Sequence, residues 1–211
     1  MDTVQVILAS ASPARLGVLR AAGLAPQVHV SEVDEDAVLA SLRDAPPAEA
    51  VTALARAKAA TVAERVAAGA AETFEALVIG CDSMLSIDGE LVGKPGTADV
   101  ALARWTAMAG RTGELVTGHA VLRLSGGAVT KEACRHAGTT VRFGRPRQAE
   151  LEAYVSSGEP LHVAGGFTLD GLGGWFVDGI DGDHSNVIGI SLPLLRALLT
   201  EVGVTVTDLW Q

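Results

Sequence analysis

From its amino end the chain alternates short apolar runs with stretches of helical periodicity. Val4–Ala9 is a largely apolar strand ending at Ser10-Ala-Ser12-Pro13, after which Leu16, Leu19 and Ala22 recur at helical spacing up to Gly23. The pattern predicts strand, tight turn and helix, with Ser12 as cap and Pro13 at the first helical position. Gln27–Ser31 reads as a second strand and the acidic run Glu32-Val-Asp34-Glu35-Asp36 as a solvated loop. A long Ala-rich helix is predicted over Pro47–Ala68. Ala76–Cys81 is an apolar strand delivering Asp82-Ser83 at its end, and Asp88-Gly89 between β-forming residues predicts a hairpin over Met84–Val92. A helix over Asp99–Ala109, strands from Leu115 to Phe143 broken at Gly126-Gly127, and a helix from Pro146 through Val155 follow. Residues 164–190 are Gly-rich, and Ser191–Val202 closes the chain as a helix with Leu194, Leu195, Leu198 and Leu199 inward. Helices alternate with strands early and hairpins dominate late, so one continuous domain on a mixed α/β sheet is expected.

Composition narrows the function classes. A chain of 211 residues can bury roughly 70% of the surface its unfolded form exposes. With 48% hydrophobic and 19% charged residues it is no disordered chain, and with no 18-residue apolar run it has no expected membrane span. The first ten residues lack a basic segment ahead of their apolar run, so no secretory signal is expected and a cytoplasmic location follows by default. A net charge of −9 argues against a nucleic-acid partner. Cys81 and Cys134 have no disulfide or zinc spacing, the five histidines form no ligand or triad pattern, and neither a dinucleotide-binding glycine fingerprint nor a P-loop is present.

Three positions, Arg15, Lys58 and Asp82, stand out locally. Arg15 stands at the third helical position behind Ser12, where the helix dipole disfavours a cation and a capping box wants Glu or Gln. It is either a tolerated surface residue or, with Ser10, Ser12 and the N–H groups of the helix start, a phosphate cradle; the cradle is the preferred reading. Lys58 falls on the apolar stripe of Val51, Leu54, Ala55, Val62 and Val66. Its ammonium either reaches back to water or enters an anion-filled cleft. Lys94, between Gly93 and Pro95, is by itself a loop lysine. Asp82 at a strand end is either a turn former or a carboxylate at the rim where α/β sheets bind ligands. With Asp82 nearby, the acidic cluster of Glu32, Asp34, Glu35 and Asp36 could hold a hard divalent cation through oxygen ligands. Cations, a helix start and carboxylates in combination suit phosphoryl or nucleotidyl chemistry, which depends on positioning and charge neutralisation.

These residues resemble a known family. Leu8-Ala-Ser10-Ala-Ser12-Pro-Ala-Arg15, Val33-Asp34-Glu35, Ala55-Arg-Ala-Lys58-Ala, Gly80-Cys-Asp82-Ser83, Gly93-Lys94-Pro95, Gly158-Glu159-Pro160, Ala164-Gly-Gly166-Phe and Ile180-Asp-Gly182 through Asn186-Val-Ile-Gly189 stand in the order seen in Maf-type nucleoside triphosphate pyrophosphatases. The resemblance spans nearly the whole chain. It implies a mixed α/β fold with an elongated twisted sheet flanked by helices, two lobes with a central cleft, and often a homodimer. It also implies hydrolysis of a nucleoside triphosphate to monophosphate and pyrophosphate with a divalent metal, Mg²⁺ or Mn²⁺, and a housecleaning or division-related role.

Carried over by position, the resemblance implies Asp82 as proton acceptor, Arg15, Lys58 and Lys94 as phosphate-binding cations, Ser10 and Ser12 in the phosphate loop, and Asp34 or Glu35 with Asp82 on the metal. Members preferring pyrimidines have Arg and Gln where this chain has Ala14 and Asp170; members preferring methylated guanine have Trp and Glu there. Ser83 stands where Thr is common. Asp170 is nearer the second type and Ala14 matches neither, so a less selective base pocket is expected. The rival expectation is a nucleotide-sensing regulator of division that binds triphosphates without turnover; a phosphomonoesterase would release orthophosphate instead.

Overall fold

A computed structural model describes residues 4–42, 45–71 and 73–211. In chain order its elements are β1 (Gln5–Leu8), α1 (Pro13–Ala21), β2 (Gln27–Val28), α2 (Glu35–Ala40), α3 (Pro47–Ala67), β3 (Glu75–Ile87), β4 (Glu90–Val92), α4 (Ala98–Met108), β5 (Thr112–Ser125), β6 (Ala128–Phe143), α5 (Gln148–Ser156), β7 (Val177–Asp181), α6 (His184–Ile188) and α7 (Leu192–Glu201). The hydrogen-bonded order of the sheet is β2-β1-β3-β5-β6-β7, with β4 on β3. β1 runs parallel to β2 and β3, while β3 with β4 and β6 with β7 are antiparallel. The fold is therefore mixed α/β, and the connections between the strands of both parallel pairs contain a helix, as parallel crossovers usually do. Among the described residues no helix is long and apolar enough to cross a membrane.

The chain divides into two compact units. The first comprises the residues up to Asp82, Thr117–Ala137 and Gly189–Gln211, and the second Ser83–Val116 and Gly138–Ile188. In the first, the period of two along a strand sorts side chains onto two buried faces. Val6, Leu8, Leu77, Ile79 and Cys81 pack with Leu19 of α1 and Leu195, Leu198 and Leu199 of α7. Ile7, Ala9, Ala76 and Val78 pack with Ala55, Ala59, Val62 and Ala63 of α3. Positions 80 and 82 share the parity of Ala76 and Val78, so they face α3. At position 80 the approach is so close that a Cβ would lie 2.2 Å from the Ala55 carbonyl oxygen; at Gly118 a Cβ would lie 2.2 Å from the Val51 carbonyl oxygen. Glycine at both places lets α3 lie directly on the sheet.

The second unit is organised around Trp105, which is fully buried. Its ring meets Phe143, Tyr154 and Phe176 edge-on at centroid distances of 5.7, 5.7 and 5.9 Å, and its Nε1–H donates to the Gly166 carbonyl at 2.7 Å. The β3–β4 hairpin turns at Asp88 and Gly89 with φ of 52° and 82°, the double positive φ that the Asp-Gly pair predicts.

Three expectations are corrected. The second strand is two residues long, not five. The acidic run is not a loop throughout: Asp34 accepts from the Ala37 N–H at 3.0 Å and caps α2, with Glu35 and Asp36 in the first turn where the helix dipole favours anions. Finally, β3 continues through Asp82 to Ile87 because Leu85, Ser86 and Ile87 pair with β4, which places Asp82 inside a strand rather than at its end.

Candidate active site

The first unit gathers most of the predicted residues. Lys58 sits in mid-α3, one turn past Ala55, and reaches toward the same sheet face that Gly80 leaves open. Its ammonium is 2.6 Å from Asp82 Oδ1 and 2.8 Å from Glu35 Oε1. Lys58 and Asp82 are 8% and 7% exposed, so the ammonium does not reach back to water; the apolar stripe carries it inward to two carboxylates. Glu35 stays half in solvent at the first residue of α2. A buried lysine with two partners and three N–H donors keeps one N–H for a further anion.

The turn from β1 into α1 is closed by side-chain hydrogen bonds. Ser12 caps α1 by accepting from the Arg15 N–H at 3.3 Å, and Pro13 occupies the first helical position. Buried Ser10 accepts from the Ser12 N–H at 3.2 Å and from Arg15 Nη1 at 3.1 Å, while Arg15 Nε donates to the Gly189 carbonyl at 2.8 Å. The guanidinium is thereby fixed over a helix start with no acidic residue in its first turn. Ala14 is half-buried in that turn. Burial pushes the Cys81 thiol up to about 12, so this sulfur, packed on the α1 and α7 face of the sheet, stays protonated and unreactive.

Glu35 and Asp82 present hard carboxylate oxygens to one ammonium, a pair that suits a divalent cation held by one or two carboxylates plus phosphate oxygens and water. Asp34 spends an oxygen on the cap of α2. Among the described residues no group of three or more His, Cys, Asp or Glu is placed to hold a metal ion.

The second unit holds Ser83, Lys94 and Asp170. Ser83 is half-buried, next in β3 after Asp82. Lys94 is exposed on a stiff segment: the Gly93 carbonyl accepts from Arg104 Nη1 at 2.8 Å, Pro95 is buried, and the Gly96 N–H donates to the Leu161 carbonyl at 2.9 Å. Asp170 is exposed on the Gly-rich turn. Sequence reasoning gave no role to Glu159, which accepts from the Thr168 hydroxyl and from the N–H groups of Leu172 and Gly173 at 3.1 and 3.0 Å. Its only signal was its place in Gly158-Glu159-Pro160. A cavity of about 620 Å³, lined in part by Arg145, Tyr154, Trp175 and Asp178, contains no predicted site residue. Among the histidines, buried His119 accepts from the Ser191 N–H through Nε2 at 2.7 Å and pairs Nδ1 with the Thr117 carbonyl at 3.0 Å, the pattern of a neutral structural imidazole.

Fold and site together define a mixed α/β protein with a buried lysine–carboxylate group on one face of its sheet. The chain belongs to the Maf-like protein family, whose model matches residues 5–202. It is 63% identical over 210 residues to a nucleoside triphosphate pyrophosphatase of Nocardia farcinica, covering 99% of this chain and 98% of that one. A protein of the same name from Saccharopolyspora erythraea is 62% identical over 208 residues, covering 98% and 97% of the two chains.

Proposed function

We propose that this chain is a nucleoside triphosphate pyrophosphatase, hydrolysing its substrate to nucleoside monophosphate and pyrophosphate. The observation that carries the reading is the Lys58 ammonium shared between Asp82 and Glu35 at 2.6 and 2.8 Å, buried in the compact unit that also holds the Ser10–Arg15 cradle. Relatives bearing that activity in their names, at above 60% identity over nearly full length, support it.

Each residue takes a chemical part. The N–H groups at the start of α1, the hydroxyls of Ser10 and Ser12 and the Arg15 guanidinium bind phosphate oxygens. Lys58 uses its third N–H for the triphosphate, and as phosphate charge arrives the ammonium shifts its weight from Asp82 to the substrate. The Asp82 carboxylate then takes the proton from the water that attacks the α-phosphorus. Lys94 neutralises charge on the departing pyrophosphate. Asp170 and Ala14 bear on base preference, and Ser83 binds substrate. A Mg²⁺ or Mn²⁺ ion held by Glu35 and Asp82 would neutralise phosphate oxygens as a Lewis acid. The enzyme acts in the cytoplasm as a homodimer on the nucleotide pool. A panel of nucleoside triphosphates with Mg²⁺ or Mn²⁺ tests the reading: stoichiometric pyrophosphate and monophosphate are expected. Orthophosphate release, or saturable binding without turnover, contradicts it.

A further inference from the structure

Asp170 stands exposed at the crest of a turn whose base is closely built. Glu159 ties both flanks of that turn together, accepting from the Thr168 hydroxyl on one side and from the Leu172 and Gly173 N–H groups on the other. The Gly173 N–H also reaches Thr168 Oγ1 at 3.2 Å, and the Gly174 N–H reaches the Gly171 carbonyl at 3.1 Å. A Cβ at position 171 would stand 2.8 Å from Glu159 Oε2, so a side chain there would have to displace the carboxylate. Glu159 is itself fixed from behind, its N–H donating to Ser157 Oγ at 3.2 Å after Gly158 turns the chain at a φ of 78°. Burial pushes the Glu159 carboxyl up, but the Thr168 hydroxyl and the Leu172 and Gly173 N–H groups outweigh it and hold the carboxyl below its ordinary value of 4.5. At neutral pH the turn is thus closed around an anion by charge-assisted hydrogen bonds, roughly twice as strong as neutral ones.

A short exposed carboxylate on such a frame loses little freedom when it meets a hydrogen-bond donor. Nucleobases offer ring and exocyclic N–H donors to an aspartate. We propose that Glu159 is a positioning residue for base recognition: by clamping Thr168, Leu172 and Gly173 it holds Asp170 as a fixed acceptor, so discrimination among bases depends on a carboxylate that never touches the substrate. This rests on the pyrophosphatase reading with Asp170 against the base.

The test compares the unaltered enzyme with Glu159→Gln and Glu159→Asp across GTP, ATP, CTP, UTP and dTTP. In Glu159→Gln the spread of kcat/KM among the five is expected to shrink about tenfold, through KM, with kcat for the best substrate within about threefold of the parent. Glu159→Asp, which keeps the charge, restores part of the spread. Hydrogen exchange of the Leu172 and Gly173 amides is expected to accelerate in Glu159→Gln while the amides of α3 keep their protection. Should Glu159→Gln fail to fold, Gly171→Ala, which pushes a methyl group into the clamp, gives the same readout. An unchanged spread, or kcat falling as far as kcat/KM, overturns the proposal. If the unaltered protein releases no pyrophosphate from any of the five, the underlying reading falls and the proposal with it.

Discussion

Asp82 and Glu159 are both carboxylates around which a local structure is built, and they are held in opposite ways. Asp82 is buried and balanced by a formal charge, the Lys58 ammonium that it shares with Glu35. Glu159 is held by neutral donors, one hydroxyl and two backbone N–H groups. A charge pair can trade partners when another anion arrives, because the ammonium serves a phosphate as readily as a carboxylate. Backbone donors have nowhere else to turn. The carboxylate proposed to react thus has an exchangeable partner, whereas the carboxylate that shapes a turn has a fixed one.

The comparison can be broken from its reactive side first. Asp82→Asn keeps the size of the side chain and removes the base, so kcat should fall by about 10²–10⁴-fold with the fold intact. An unchanged kcat removes Asp82 from the chemistry. Lys58→Met keeps the packed stem and leaves a buried carboxylate without its ammonium, a loss of about 3–5 kcal/mol in stability by denaturant unfolding. A stability within error of the parent would mean that the pair exerts no hold on α3. Adding Asp82→Asn to Lys58→Met should recover part of that loss, since no buried charge is then left alone.

Smaller effects test the frames that hold the two carboxylates. Gly80→Ala forces α3 away from the sheet and should cost about 1–3 kcal/mol while also raising KM, because Lys58 moves with the helix. Stability and KM both at parental values would show that the close approach is not what sets Lys58 in place. The Glu159 clamp predicts a pH effect of definite sign. Its carboxyl is held below 4.5, so the stabilisation is complete above that value and is lost as pH falls through the held value. Hydrogen exchange at Leu172 and Gly173, corrected for intrinsic rates, should show steady protection from pH 7 to 5 and a loss in more acidic solution. Equal protection at pH 7 and at pH 3 would show that the ionised carboxyl does not hold the turn.

What the sequence made legible was local. The Ser12-Pro13 helix start, the placing of Lys58 on the buried stripe of α3 and the turn at Asp88-Gly89 follow from caps, periodicity and positive φ, each encoded within a few residues. Asp34-Glu35-Asp36 carried an equally local signal, a helix cap followed by acids in the first turn, and the cluster of charge obscured it. The continuation of β3 past Asp82 was hidden because it depends on pairing with β4, and two strands decide it together. Glu159 was hidden more deeply. Its partners lie nine to fourteen residues along the chain, and nothing at position 159 announces that a turn will fold over it.

The proposed function turns on water attacking the α-phosphorus at the Lys58–Asp82 site. Turnover in H₂¹⁸O tests it most directly, with the products separated and weighed by mass spectrometry. The account predicts one ¹⁸O atom in the nucleoside monophosphate, none in the pyrophosphate, and loss of that labelled product in Asp82→Asn. Label in the pyrophosphate, or labelled orthophosphate as the first product, would contradict it.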